Sequence, residues 1–74
     1  MRVIVKLFAT LRDKRFDVET RDYGPGTTVA DIIKELGIPQ KEVTLIFING
    51  RHAGYQADIA DGDTVALFPP VGGG

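Results

Sequence analysis

The sequence predicts an α+β domain, a mixed sheet of four to five strands with one main helix packed on one face. Three observations predict it. Segments 2–8, 16–23, 43–48 and 64–68 are β-rich, with the alternation a sheet requires. A single segment, near 28–37, carries a helical apolar stripe with start and stop signals. An Asn49-Gly50 pair marks a tight hairpin. A helix between the second and third strands lets the first and last strands lie side by side, which makes the sheet mixed.

The first strand, "RVIVKLF", sets Val3, Val5 and Leu7 on one face and Arg2, Ile4, Lys6 and Phe8 on the other. The polar stretch "ATLRDKR" reads as a loop or wide hairpin, with "LRDKR" either a solvated loop or a modest charged docking patch. "FDVETRDY" alternates Phe16, Val18 and Thr20 against Asp17, Glu19 and Arg21, a half-solvated strand antiparallel to the first. Gly24-Pro25-Gly26 breaks it and, lacking a GK[ST] continuation, is a turn rather than a phosphate loop. Thr28 caps the helix with Asp31 three residues on. Val29, Ile32, Ile33 and Leu36 form the stripe, Gly37 takes the left-handed stop position, Ile38 folds back, and Pro39 prevents continuation. In the Asn49-Gly50 hairpin Phe47 falls opposite His52. Residues 55–63 are turn-rich. The last strand splits Val65 and Leu67 from Ala66 and Phe68, and Pro69-Pro70 ends it because neither can donate to a ladder.

Composition bounds the function. The chain has 74 residues, 43% apolar and 26% charged, which is one domain of ordinary globular type. A domain this small buries only about 60% of the surface its unfolded chain exposes, and with no cysteine it has no disulfide to compensate. Its net charge of −1 offers no basic footprint for nucleic acid. No segment reaches the length of a membrane span, and the apolar run at the start is shorter than a signal-peptide core, so a cytoplasmic protein is expected.

Catalytic constellations are nearly absent. Serine and cysteine do not occur, so neither can serve as a nucleophile. The one histidine, His52, has no second His or Cys to complete a metal site and reads as a surface or interface residue rather than a catalytic one. Asp61-Gly62-Asp63 lacks the remaining ligands of a calcium loop and reads as a turn. What stands out is the outward parity of Phe8, Phe47 and Phe68 near His52. A solvated sheet face has no need of three phenylalanines, which points to a partner surface. A register shifted by one residue would turn the same rings inward.

The ending "DGDTVALFPPVGGG", with "FATLR", "TVADIIKELG" and the "NG" hairpin before it, resembles the MoaD/ThiS-like sulfur-carrier family, ubiquitin-like β-grasp proteins. The resemblance covers the whole chain. The block with the double proline is closest to the molybdopterin synthase small subunit. It implies a β-grasp domain over 1–68 and an extended flexible tail over 69–74. It also implies a protein that is not catalytic alone but is the co-substrate of a sulfurtransferase complex.

By this resemblance the reactive group is the carboxylate of Gly74, ionised and poorly electrophilic with a pKa of about 3.5. A MoeB/ThiF-like adenylyltransferase would activate it with ATP, and a sulfur donor would displace AMP to leave a thiocarboxylate. A MoaE-like large catalytic subunit, or a thiazole synthase, would then receive the tail. The resemblance implies no permanently bound cofactor and no metal. Pro69 and Pro70 would launch the tail as a stiff spacer and Val71 would anchor in an apolar slot. Gly72, Gly73 and Gly74, without Cβ atoms, would thread a narrow channel. Phe8, Phe47, Phe68 and His52 match positions where family members contact their partners. Three other readings stand beside this one: a carrier for thiazole or tRNA thiolation, a ubiquitin-like modifier conjugated through Gly74, and an interaction module with an idle tail.

Overall fold

The computed structural model describes residues 1–70; residues 71–74 lie outside them, and with them most of the expected tail. The strands are β1 (Arg2–Leu7), β2 (Val18–Asp22), β3 (Leu45–Ile48), β4 (Arg51–His52) and β5 (Thr64–Phe68), and the helix is α1 (Val29–Glu35). They form one five-stranded sheet in the order β2-β1-β5-β3-β4. The first and last strands are parallel neighbours, Val5 beside Val65 and Leu7 beside Leu67, and every other pairing is antiparallel.

The alternation read from the sequence sets the layers. Val3, Val5 and Leu7 of β1, Val65 and Leu67 of β5 and Ile46 of β3 are buried on one face against Val29, Ile32 and Ile33 of α1. Seven residues are too few for a helix to persist alone. Its ends are accordingly well satisfied. Asp31 N–H donates to Thr28 Oγ1 at 3.3 Å while Thr28 N–H donates to Asp31 Oδ2 at 3.0 Å, the capping box. Val29 and Ala30 N–H donate to the carbonyls of Ala57 and Tyr55 at 3.1 and 2.8 Å, so the irregular segment before β5 covers the helix N-terminus. At the other end Gly37 has φ 72°, and the N–H groups of Gly37 and Ile38 return to Lys34 and Ile33 at 3.0 and 3.1 Å. That is the Schellman stop, with Ile38 buried behind it. The hairpin is likewise as expected: Asn49 and Gly50 have φ 52° and 81°, and Phe47 lies opposite His52.

One expectation needs correction. The stretch after β1 is no solvated loop: Ala9–Arg12 is a 3-10 turn whose Leu11 is wholly buried. Ala9, at φ 53°, turns the chain so that this one apolar side chain of the stretch meets the core. In β2 the pairs Val3–Arg21 and Val5–Glu19 place the charged set on the helix side, leaving Val18 and Thr20 on the outer face. Phe16 escapes that parity because it precedes the strand, and it packs against the core with the Arg21 guanidinium 5.7 Å from its ring.

Candidate functional site

The outer face of the sheet carries a continuous aromatic band. Phe8 follows β1 in extended conformation, held in line by its N–H bond to Leu67 O at 3.2 Å. Its ring stacks on Phe68, with centroids 4.2 Å apart and planes 7° from parallel. Phe47 meets Phe68 edge-on at 5.7 Å, and His52 meets Phe47 edge-on at 5.9 Å. The register produces this line, since Leu45 is opposite Phe68, Phe47 opposite the small Ala66, and His52 opposite Phe47. All four predicted face residues are therefore brought together, and the outward register is the one expected. Each aromatic pair is worth about 0.5–1.5 kcal/mol beyond the area it covers, so the band is orderly even where half-exposed.

Sequence reasoning missed two members. Arg12 holds its guanidinium 5.3 Å from the Phe8 centroid, steered by a 2.7 Å bond from Nε to Leu7 O and by the Asp17 carboxylate at 3.5 Å. Its place depends on the 3-10 turn, for which the sequence gives no signal. Leu45, 37% exposed, extends the band beyond Phe68. Its parity with Phe47 was signal enough to find it. Pro69, half-buried, and Pro70, exposed, follow directly on the band. Gly74, Val71, Gly72 and Gly73 lie outside the described residues.

The charged clusters elsewhere are structural. On the helix side Arg21 donates to Glu35 at 2.8 Å, to the Tyr23 hydroxyl at 3.0 Å and also to Glu19, while Tyr23 donates to Glu35 at 3.0 Å. Arg21 holds the Glu35 carboxyl below its ordinary value, and Glu35 in turn raises the Arg21 guanidinium. Burial first, then the bond to Glu35, pushes the Tyr23 hydroxyl up to about 12. The Asp61-Gly62-Asp63 motif is the turn expected: Asp61 accepts from Arg2 N–H at 2.6 Å, and Asp63 accepts from Ala60 N–H and from Asn49 Nδ2, both at 2.8 Å. No metal-holding group of His, Cys, Asp or Glu occurs among the described residues. Nor is any helix among them long and apolar enough to cross a membrane.

A mixed sheet of this order gripping one helix, with the last strand central, defines a ubiquitin-like β-grasp domain. Within that class the chain belongs to the ThiS family, whose family model matches residues 5–74. No curated protein matches it by sequence. Among solved structures it is similar to SAMP1 from Haloferax volcanii, 28% identical with all of both chains covered and a TM-score of 0.78. It is also similar to a putative molybdopterin converting factor subunit 1 from Pyrococcus furiosus, 31% identical over 96% of this chain and 99% of that one, TM-score 0.76. The complex of subunits 1 and 2 of the molybdopterin-converting factor from Helicobacter pylori shares the fold, at 23% identity, complete coverage of both chains and TM-score 0.66.

Proposed function

We propose that this chain is a sulfur carrier for molybdopterin biosynthesis, acting as the small subunit of a two-subunit sulfurtransferase. The observation that carries the reading is the 31% identity with a putative molybdopterin converting factor subunit 1 across nearly both whole chains, ending here in Pro69-Pro70-Val71-Gly72-Gly73-Gly74. In this reading an adenylyltransferase joins the Gly74 carboxylate to the α-phosphate of ATP, releasing pyrophosphate. A hydrosulfide-level sulfur nucleophile then attacks the acyl carbon and AMP leaves, giving the thiocarboxylate that a large catalytic subunit consumes. The described domain contributes no reacting group. It supplies the aromatic band by which both partners hold it, with the tail starting one residue beyond Phe68.

Intact mass after incubation with a cognate activating enzyme, ATP and sulfide tests the chemistry. One oxygen should be replaced by sulfur, and an unchanged mass beside an active control carrier overturns it. The final acceptor is tested by whether the chain captures a molybdopterin-type large subunit or a thiazole synthase. Deleting Gly73-Gly74 should abolish transfer while leaving the melting temperature unchanged; retained function would mean the tail is idle.

A second reading rests on the 28% identity with SAMP1, a small archaeal modifier protein. The same acyl-adenylate chemistry would serve a protein modifier, the final nucleophile being a lysine amine instead of sulfur. Gly-Gly remnants on cellular lysines that vanish when this chain is deleted would establish it.

A further inference from the structure

β2 is the long free edge of the sheet, five residues against two in β4 at the other side. Its pairing to β1 uses the backbone of the odd-numbered residues, as the flanking bonds Leu7 N–H to Asp17 O and Tyr23 N–H to Met1 O show, both 2.9 Å. The N–H and C=O groups of Val18, Thr20 and Asp22 therefore point away from the sheet. Such an edge is a template for another strand unless its side chains oppose pairing. Here the side chains favour one partner. In the sequence Val18-Glu19-Thr20-Arg21-Asp22, opposite charges flank Thr20 at one step, Glu19 against Arg21, and Val18 stands against Asp22 at two steps. Laid antiparallel against itself, it places each Glu19 opposite the partner's Arg21 and Thr20 opposite the partner's Thr20, an opposite-charge cross-strand arrangement on the helix face.

We propose that two copies of this chain associate through β2, in antiparallel register centred on Thr20, to form a continuous ten-stranded sheet. The outward backbone groups of Val18, Thr20 and Asp22 meet their counterparts in the wide and narrow spacing an antiparallel ladder needs. Val18, at 57% the most exposed of the large apolar side chains among the described residues, lies opposite the partner's Asp22 and diagonal to its Thr20, whose methyl gives it part of its cover. A net charge of only −1 per copy leaves little repulsion between the two. The two-fold axis stands perpendicular to the sheet, so both aromatic bands lie on the same side and stay open. One strand per copy is a small interface, and the dissociation constant is expected on the order of 100 μM.

The test is sedimentation velocity and concentration-dependent amide NMR shifts on the full chain at low salt. Thr20→Pro removes an outward N–H while leaving the β1 ladder intact, as edge strands permit. Glu19→Arg sets like charges across the axis; it gives up the Glu19–Arg21 contact within the chain but keeps the Arg21–Glu35 bridge. Each should weaken dimerisation at least about tenfold, Thr20→Pro with an unchanged melting temperature and Glu19→Arg with one modestly lowered but still a cooperative transition, and about 0.5 M salt should weaken it likewise by screening the cross-strand pairs. Shifts on dilution should concentrate in residues 17–23. A chain monomeric at about 1 mM, a dimer that survives both variants, or shifts centred on Phe8 and Phe68 would each overturn the proposal, the last by placing the second copy on the aromatic band.

Discussion

Leu11→Ala is the substitution that most directly tests how the domain is held together. Leu11 is fully buried, carried into the core by the Ala9–Arg12 turn, and its N–H bonds Phe8 O at 3.1 Å. Leu→Ala changes in closed cores cost roughly 2.7–5.0 kcal/mol, the spread reflecting how far the site can collapse. A turn joined to the sheet by short connections can settle partway into the void, which favours the lower half, about 3 kcal/mol. A domain of this size has a total stability of about 4–11 kcal/mol, so the change removes between a quarter and most of it. The melting temperature should fall by about 12–24 °C. Urea unfolding followed by circular dichroism measures it, with an unchanged slope showing that the same surface is exposed. Asp13→Ala, exposed on the same stretch, is the control and should stay within about 0.5 kcal/mol. A Leu11→Ala loss below about 1 kcal/mol would refute the reasoning, because it would mean the stretch is solvated as its polar composition suggests.

Phe47→Ala removes two edge-on contacts on the outer face and should cost about 1–2 kcal/mol of stability. If the band is the partner surface, the same change weakens capture of the large subunit by about 30-fold in calorimetry, and unaltered affinity would separate the band from docking. Glu35→Gln should cost about 0.5–1 kcal/mol at neutral pH, an effect reduced by salt because the pair is part-exposed. Because the folded Glu35 value is depressed, the wild-type advantage is present above the unfolded value of 4.5 and disappears as pH falls through the lower folded one; a gap that persists in acid would contradict the ion pair. Tyr23 has the opposite sense: its contribution is full below 10.0 and is lost as pH rises through about 12, so Tyr23→Phe should flatten the alkaline limb of the stability curve. Gly50→Ala should cost about 1–2 kcal/mol through φ 81° alone, since among the described residues no atom beyond its chain neighbours lies within 4 Å of the added carbon, and a neutral result would argue against the left-handed turn.

The features legible in the sequence are those encoded by local chemistry. Thr28, Asp31, Gly37 and Ile38 announce the helix ends because capping is a matter of four adjacent residues. Asn49-Gly50 announces its turn because few other pairs tolerate two positive φ values. The aromatic face was legible because strand parity is a two-residue rule and three strands agreed on it. What escaped was decided at long range. Leu11 sits in a run of charged residues, and nothing local says that the chain turns inward there. The face assignment of β2 depends on which residues of β1 it meets, and Glu19 and Arg21 on the helix side are acceptable only because Glu35 and Tyr23 wait there. Arg12 inherits its position from Leu11, so missing one meant missing the other.

The placement of β5 explains why the chain leaves the domain where it does. An edge strand would hold its last residue from one side only. β5 is central, and its end is tied from both: Phe8 N–H donates to Leu67 O at 3.2 Å, and Thr44 N–H donates to Phe68 O at 2.9 Å. Pro69 then offers no N–H, so the ladder stops at a defined residue. In the same strand Val65 and Leu67 are locked in the core while Phe68 stands at the centre of the band, stacked on Phe8 and edged by Phe47. A partner that grips the rings therefore grips the root of the tail as well, and the position at which the tail starts is set by packing before binding begins. Replacing Leu67 by a smaller side chain would loosen this root from beneath, so it should weaken partner binding even though Leu67 itself faces the core.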